Sequence, residues 1–218
     1  MRPHLKSEVA RYARRLHANG WVANHDGNVS VRLGSDRFLC TPTAVSKADV
    51  DESMLIVVDA TGRVVEGTRK PFGELEVHLA IYRARPDQHA VMHAHPVTAT
   101  AFGVAGVSLD YCTMPEFLVS IGPGVPTVPL HLPKTPQLLA GVGEAARRSN
   151  AFLAAGNGAW SMGVDLEQAY LRLELVEHYA RIVAAARQLG GVNELTDKKA
   201  LAKLLEARRN AGLEPPDK

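Results

Sequence analysis

Two histidines and one glutamate are the residues whose types and spacing most clearly support chemistry. His93 and His95 stand two positions apart in segment 90–96, and Glu74 lies upstream in segment 70–78. Because side chains two apart in a β-strand project to the same face, both imidazoles can converge on one point. Two convergent imidazoles form half of a typical zinc site. A nearby carboxylate could move protons as a general acid or base.

This chemistry requires a strand that carries the histidines and an element that carries Glu74. Val91 and Met92 favour a buried strand, and Pro96 ends it because proline cannot donate to a ladder. Apolar periodicity predicts a helix over 74–85 with Glu74 in its first turn, where a carboxylate meets the positive end of the helix dipole. Glu74 could then face the histidine strand. A surface carboxylate that stabilises a helix N-terminus is the alternative, and spacing does not exclude it.

The remaining elements follow from periodicity and turn signals. Segment 118–130 alternates apolar runs with breakers and predicts strand and loop pieces. Further strands are predicted over 29–33, 38–40, 54–59, 64–66 and 151–155, and further helices over 5–19, 98–103, 136–148 (capped by Thr135), 166–189 (capped by Asp165) and 198–209.

Composition limits the classes of protein to which the chain can belong. With 218 residues, 46% hydrophobic, it can bury one sizeable core. A net charge of +2, spread along the chain, gives no support to a nucleic-acid surface. No apolar run reaches the roughly 18 residues of a membrane helix, and residues 1–6 lack the apolar core of a signal peptide. We therefore expect a cytoplasmic protein that does not bind membranes.

The chain is expected to form one main domain over 1–192. Residues 193–218 form a charged C-terminal tail that is predicted to be partly helical or disordered. Cys40 and Cys112 lack the spacing of a metal knuckle and are expected to be free thiols.

Several short motifs occur together in an order that resembles the class II aldolase/adducin family, which includes fuculose-phosphate aldolase and ribulose-phosphate 4-epimerase. The resemblance covers about residues 5–190. It implies an α/β fold, a three-layer α/β/α sandwich with a mainly antiparallel central sheet, assembled as a homotetramer with active sites near subunit interfaces. The motifs are 27–30, Thr41-Pro42-Thr43, 71–74, His93-Ala94-His95-Pro96 and 163–169.

The resemblance also implies roles for the polar residues. His93 and His95 would bind a divalent metal, most commonly Zn²⁺, and Glu74 would be the acid/base while the metal stabilises an enediolate formed on C–C cleavage. The family's third histidine aligns with Asn157, and an amide oxygen is a much poorer zinc donor than imidazole. The site could be weakened, empty, or completed by Glu74, by water or by His131. Two histidines and a carboxylate would suit Fe²⁺ or Mn²⁺ about as well.

The expected substrate-binding residues depart from those of sugar-phosphate members. Gly27 and Asn28 match the family's phosphate contacts, although an ordinary turn would also explain them. Thr43-Ala44 stands where relatives have Thr-Gly, and Phe72-Gly73 stands where they have two serines. Each lost hydroxyl donor removes a hydrogen bond worth about 1.5–3 kcal/mol to a charged acceptor. We therefore expect a less anionic or an aromatic substrate.

The sequence predicts a divalent-metal-dependent carbon–carbon lyase of carbohydrate metabolism, which performs aldol or retro-aldol cleavage or a related decarboxylation. Its partner would be a small hydroxy-carbonyl or keto-acid substrate. The alternatives are a non-catalytic, adducin-head-like scaffold with a degenerate metal site and a sugar-phosphate 4-epimerase. The helical residues His78, His178 and Glu177 are expected at the surface or at an interface.

Overall fold

The computed structural model describes residues 4–215, and its centre is one eight-stranded sheet. The strand order is β4-β3-β2-β1-β5-β8-β7-β6, and every pairing is antiparallel except β6 with β7. The predicted, mainly antiparallel sheet is therefore confirmed. The strands are β1 (Asn28–Arg32), β2 (Arg37–Cys40), β3 (Ile56–Asp59), β4 (Val64–Glu66), β5 (Ala90–Ala94), β6 (Thr127–Val128), β7 (Ala151–Ala154) and β8 (Ala159–Gly163).

The helices begin largely where sequence signals place them. Thr135 and Asp165 accept the backbone N–H groups of Leu138 and Gln168, which confirms both predicted N-caps. The helices are α1 (Leu5–Ala18), α2 (Leu75–Ala84), α3 (Val97–Ala105), α4 (Pro115–Ser120), α5 (Pro136–Arg148), α6 (Leu166–Gln188) and α7 (Lys198–Asn210), with a short 3-10 helix at Glu52–Met54.

The sheet lies between two helical layers, as the three-layer prediction requires. Alternate residues of β5 enter different hydrophobic clusters: Met92 packs with α1, α3 and α6, whereas Val91 packs with α2 and α5. This alternation follows from the two-residue period of a strand. It also means that the face of the sheet carrying Val91 and His93 is turned toward α2.

Three sequence-based assignments need correction. Segment 118–120 belongs to helix α4, which begins with Pro115 at a position where its missing N–H costs nothing. Strand β3 begins at Ile56 because a 3-10 turn occupies Glu52–Met54. The sequence pattern does not identify β8, which is buried throughout and pairs with both β5 and β7.

Glu177 is not at a solvated or intersubunit face in this chain. Its carboxylate is buried and accepts the backbone N–H groups of Thr98 and Ala99 at the start of α3. A carboxylate in this position satisfies orphan donors and meets the positive end of the helix dipole. Glu177 therefore joins α6 to α3.

The helix predicted in the C-terminal tail is confirmed as α7, and it packs against α4. Arg208 is buried and donates to the carbonyl oxygens of Leu118 and Val119, in the last turn of α4. Residues 1–3 of the N-terminal segment and residues 216–218 of the predicted disordered end lie outside the described residues. None of the helices within residues 4–215 is long and apolar enough to cross a membrane.

Candidate active site

Three neighbouring strands present polar and aromatic side chains in one row toward α2. Asn28 of β1 lies directly opposite His93 of β5, and His93 lies opposite Trp160 of β8. Directly opposed residues of antiparallel strands share a face of the sheet. Glu74, at the N-cap position of α2, reaches this row, where its Oε2 accepts a hydrogen bond of 3.3 Å from Asn28 Nδ2. The structure thus brings Glu74 next to the histidine strand.

The two histidines expected to bind a metal lie side by side. Their ring centroids are 5.0 Å apart. His93 Nδ1 donates to the Ala159 carbonyl oxygen at 3.1 Å, which leaves Nε2 as the ring nitrogen with a lone pair. His95 Nδ1 lies 3.7 Å from Asp26 Oδ2, and His95 Nε2 is buried without a hydrogen-bond partner within residues 4–215. Ligating histidines are typically held through their other ring nitrogen, as His93 is by the Ala159 carbonyl, whereas the distance from His95 to Asp26 is too long for a hydrogen bond.

Packing keeps both imidazoles in place and His93 neutral. Trp160 stacks on His93 with ring centroids 4.0 Å apart. Burial, and secondarily the neighbouring His95, hold the pKa of His93 well below its usual range. Gly158 has φ +68, and a Cβ there would overlap His95 and the Ala94 carbonyl. Only glycine therefore lets the β7–β8 turn close over His95.

The donor set fits a metal through two imidazoles, but it lacks a third. Within the described part of the chain, no group of three His, Cys, Asp or Glu side chains is placed to hold a metal ion. Asn157 lines a cavity of about 370 Å³ together with Glu74, His131 and Lys134. Asn157 and His131, two of the residues considered as a third ligand, therefore lie on the cavity that Glu74, the third candidate, also lines.

On the other side of Glu74, hydrogen bonds lead into the core. The Asn28 side chain is 3% exposed, and its Oδ1 is hydrogen-bonded to His78 Nε2. His78 Nδ1 lies 2.6 Å from Ser30 Oγ, which lies 2.9 Å from the Tyr82 hydroxyl oxygen. The result is a continuous series from Glu74 through Asn28, His78 and Ser30 to Tyr82, hereafter the buried relay.

The expectation that His78 lies at the surface or at an interface is wrong. Its side chain is 0% exposed, because this face of α2 packs on the sheet, and burial lowers its pKa to about 3. A sequence signal was present: Glu74, His78 and Tyr82 are spaced four apart and share one helix face, and Asn28 and Ser30 share one strand face.

The predicted substrate-binding residues lie in different surroundings, some accessible to a ligand and some already packed or hydrogen-bonded. Gly73 lines the cavity next to Glu74, and Ala44 is exposed in a loop with φ +58. Gly27, with φ +71, is packed against Val22 and the His93 carbonyl. Its neighbour Asn28 is engaged by the buried relay.

Two residues of that set contribute differently from the expectation. The Phe72 ring is buried, with its centroid 4.9 Å from that of His78, so it packs in the core instead of lining the cavity. The backbone N–H of Thr43 donates to the Lys70 carbonyl at 3.0 Å, which ties the Thr43 loop to the segment before Glu74.

Sequence reasoning missed Lys47. Its side chain is 1% exposed, and its Nζ donates to the carbonyl oxygens of His25 (3.1 Å) and Val45 (2.9 Å). Burial lowers its pKa, while Asp26 and Glu74 act in the opposite direction. Lys47 thus connects the loop before Asn28 to the loop after Thr43. A single lysine in a polar loop gives no sequence signal for such a role.

Comparisons with known proteins agree with this architecture. The family described as Class II Aldolase and Adducin N-terminal domain matches residues 7–184. The 3-oxo-tetronate 4-phosphate decarboxylase of Escherichia coli (strain K12) is 30% identical over 183 residues, 82% of this chain and 85% of that protein. The L-fuculose phosphate aldolase of Methanococcus vannielii is 30% identical over 178 residues, 80% of this chain and 93% of that protein.

A solved structure extends the similarity to the fold. The L-fuculose-1-phosphate aldolase from Thermus thermophilus is 29% identical, with a TM-score of 0.75 over 88% of this chain and 100% of that chain. The family match over residues 7–184 includes both the histidine strand and the helix that begins after Glu74. The chain therefore belongs to the class II aldolase and adducin N-terminal domain family, among members that are carbon–carbon lyases.

Proposed function

We propose that this lyase uses Glu74 as its acid/base and His93 and His95 as the ligands of a divalent metal. The observation that carries the proposal is the position of Asn28, which is opposite His93 in the sheet and hydrogen-bonded to Glu74. This position supports an acid/base that lies close to His93. A positioned carboxylate typically contributes about 10²–10⁴-fold to such a reaction.

The metal would be held by the Nε2 atoms of His93 and His95, with Asn157 as a weak third ligand. When bound, it would polarise the substrate carbonyl and stabilise the negative charge that develops on C–C cleavage. Zn²⁺ is the favoured ion, and Fe²⁺ and Mn²⁺ suit a site with open positions. The neutral state of His93 supports this assignment, since a ligating imidazole must be deprotonated.

For the substrate we propose a small hydroxy-carbonyl compound or keto acid that is less anionic than a sugar phosphate. Phe72-Gly73 offers no hydroxyl donor, and the Asn28 amide is already engaged. The cavity beside Glu74 has apolar walls that include Val77 and Leu138, and Lys134 at its edge could pair with a carboxylate. Tight binding of a phosphorylated ketose in a calorimetric titration would overturn this proposal.

We further propose that the protein acts as a homotetramer in the cytoplasm. The family resemblance supports the assembly, as do two large apolar side chains on α3, Val97 and Val104, which are each 69% exposed. Light scattering coupled to size-exclusion chromatography should give a mass of four chains. A monomer at micromolar concentration would contradict the assembly.

Metal content, measured by mass spectrometry on untagged protein, tests the site directly. We expect about one divalent metal per chain and none in a His93→Ala, His95→Ala double variant. His89→Ala is the matched control, because His89 is exposed at the opposite end of β5. Absence of metal from the unmodified protein, even after reconstitution, would contradict the proposal and favour the adducin-head-like scaffold.

A further inference from the structure

The hydrogen-bond donors in the buried relay can be assigned from Glu74 inward. An ionised carboxylate only accepts, so Asn28 must direct its Nδ2 donor at Glu74 Oε2 and its Oδ1 acceptor at His78. His78 Nε2 must then carry the proton. A neutral imidazole has one N–H, so Nδ1 accepts from the Ser30 hydroxyl. Ser30 Oγ in turn accepts from Tyr82.

We propose that His78, through this fixed tautomer, is the positioning residue for the acid/base Glu74. It holds the Asn28 amide in the one orientation that offers N–H to Oε2, so that Oε2 is engaged and Oε1 is the oxygen that exchanges protons with substrate. Within the described residues, Oε2 is the Glu74 oxygen that accepts a side-chain hydrogen bond. This inference rests on the proposed function of Glu74.

The surroundings of His78 make the arrangement rigid. The imidazole is enclosed by the rings of Phe72 (4.9 Å between centroids) and Trp160 (5.3 Å), and the closest charged group along the relay is Glu74 itself. A flipped Asn28 amide would place the buried Oδ1 acceptor against the acceptor oxygen of the half-buried Glu74 carboxylate. Only the Nε2–H tautomer avoids this conflict.

Two substitutions of His78 separate positioning from packing. His78→Gln places an amide N–H near the Nε2 position, so it can still donate to Asn28. His78→Asn places its amide near Nδ1, so it can still accept from Ser30 but not reach Asn28. We expect kcat to fall about 10- to 100-fold in His78→Asn with KM changed less than about threefold, and His78→Gln to stay within about threefold of the unmodified protein.

The same measurement of kcat supplies the control and the results that would contradict the proposal. His89→Asn changes an exposed histidine at the other end of β5 and should leave kcat unchanged. Equal losses in His78→Gln and His78→Asn would show a packing role and overturn the proposal, as would full activity in His78→Asn. If His78→Asn does not fold, loss of kcat in a folded His78→Gln would be the overturning result.

The tautomer of His78 can be tested without measuring enzymatic activity. The full-length protein is labelled with ¹⁵N in its imidazole rings, and the His78 signals are identified as those that His78→Gln lacks. These signals should show a proton on Nε2 and none on Nδ1 from pH 5 to pH 8. An Nδ1–H tautomer or titration within that range would overturn the proposal. If no lyase activity is found while the Nε2–H tautomer is observed, the proposed function fails and the relay geometry stands.

Discussion

The candidate site has an acid/base side around Glu74 and a metal side around His93 and His95. The two sides differ in how completely the chain satisfies their hydrogen-bonding groups. On the acid/base side proposed for Glu74, the carboxylate accepts from Asn28, Asn28 is hydrogen-bonded to His78, and the buried relay ends at Tyr82. On the metal side, His95 Nε2 is buried without a partner among the described residues. Buried polar groups are normally paired, so this orphan is consistent with the proposed role of His95 as a metal ligand. Folding alone thus satisfies the side of Glu74, whereas, in the part of the chain that the structure describes, His95 Nε2 is left free for the metal that we propose.

Glu74→Gln should give the largest effect and separate the two sides. The glutamine can still accept from Asn28, but it cannot exchange a proton, so we expect kcat to fall about 10²–10⁴-fold. Metal content should stay unchanged, because His93 and His95 are untouched. Loss of metal together with activity would show that Glu74 is a ligand, and the division between the two sides would then be wrong.

Asn157→His tests whether the metal side lacks only an imidazole. A third imidazole should strengthen metal binding by at least about tenfold, measured by competition with a chelator. Asn157→Ala is the control and should give no gain. Unchanged affinity in Asn157→His would mean that the turn between β7 and β8 does not bring residue 157 to His93 and His95.

His78 should make the acid/base side sensitive to acid. Its pKa is about 3 when folded and about 6.5 when unfolded, so the unfolded chain binds more protons between these values. The free energy of unfolding must therefore fall as the pH drops below about 6.5, and His78 accounts for about 2 kcal/mol between pH 7 and pH 5. In urea unfolding, His78→Gln should not show this part of the decrease in unfolding free energy between pH 7 and pH 5. An identical pH dependence in both proteins would contradict the assignment.

Ala44→Gly should give the smallest effect, in a loop that belongs to neither side. Ala44 has φ +58, a conformation that glycine adopts without the steric cost of a Cβ. We expect the substitution to raise the free energy of unfolding by about 0.5–1 kcal/mol, measured by urea titration. A lower unfolding free energy would indicate that Ala44 makes a stabilising contact which offsets its backbone strain.

Local signals predicted most of the fold. The caps at Thr135 and Asp165 and the apolar period of α1 are short-range features, and each was confirmed. Strand β8 was not predicted because a fully buried strand shows no alternation of apolar and polar residues. Helix α4 was not predicted because about one and a half turns are too short to show a helical period of apolar residues.

The sequence by itself determined the family, because motif order is carried by the chain, and it predicted the lyase class and the roles of Glu74, His93 and His95. Only the tertiary structure decided that His78 is buried against the sheet, that Phe72 turns into the core, and that Glu177 caps α3. The physical reason is that a helix has several faces and a periodic pattern does not say which neighbour each face meets. Burial and hydrogen-bond partners arise only when α2, α6 and the sheet pack together.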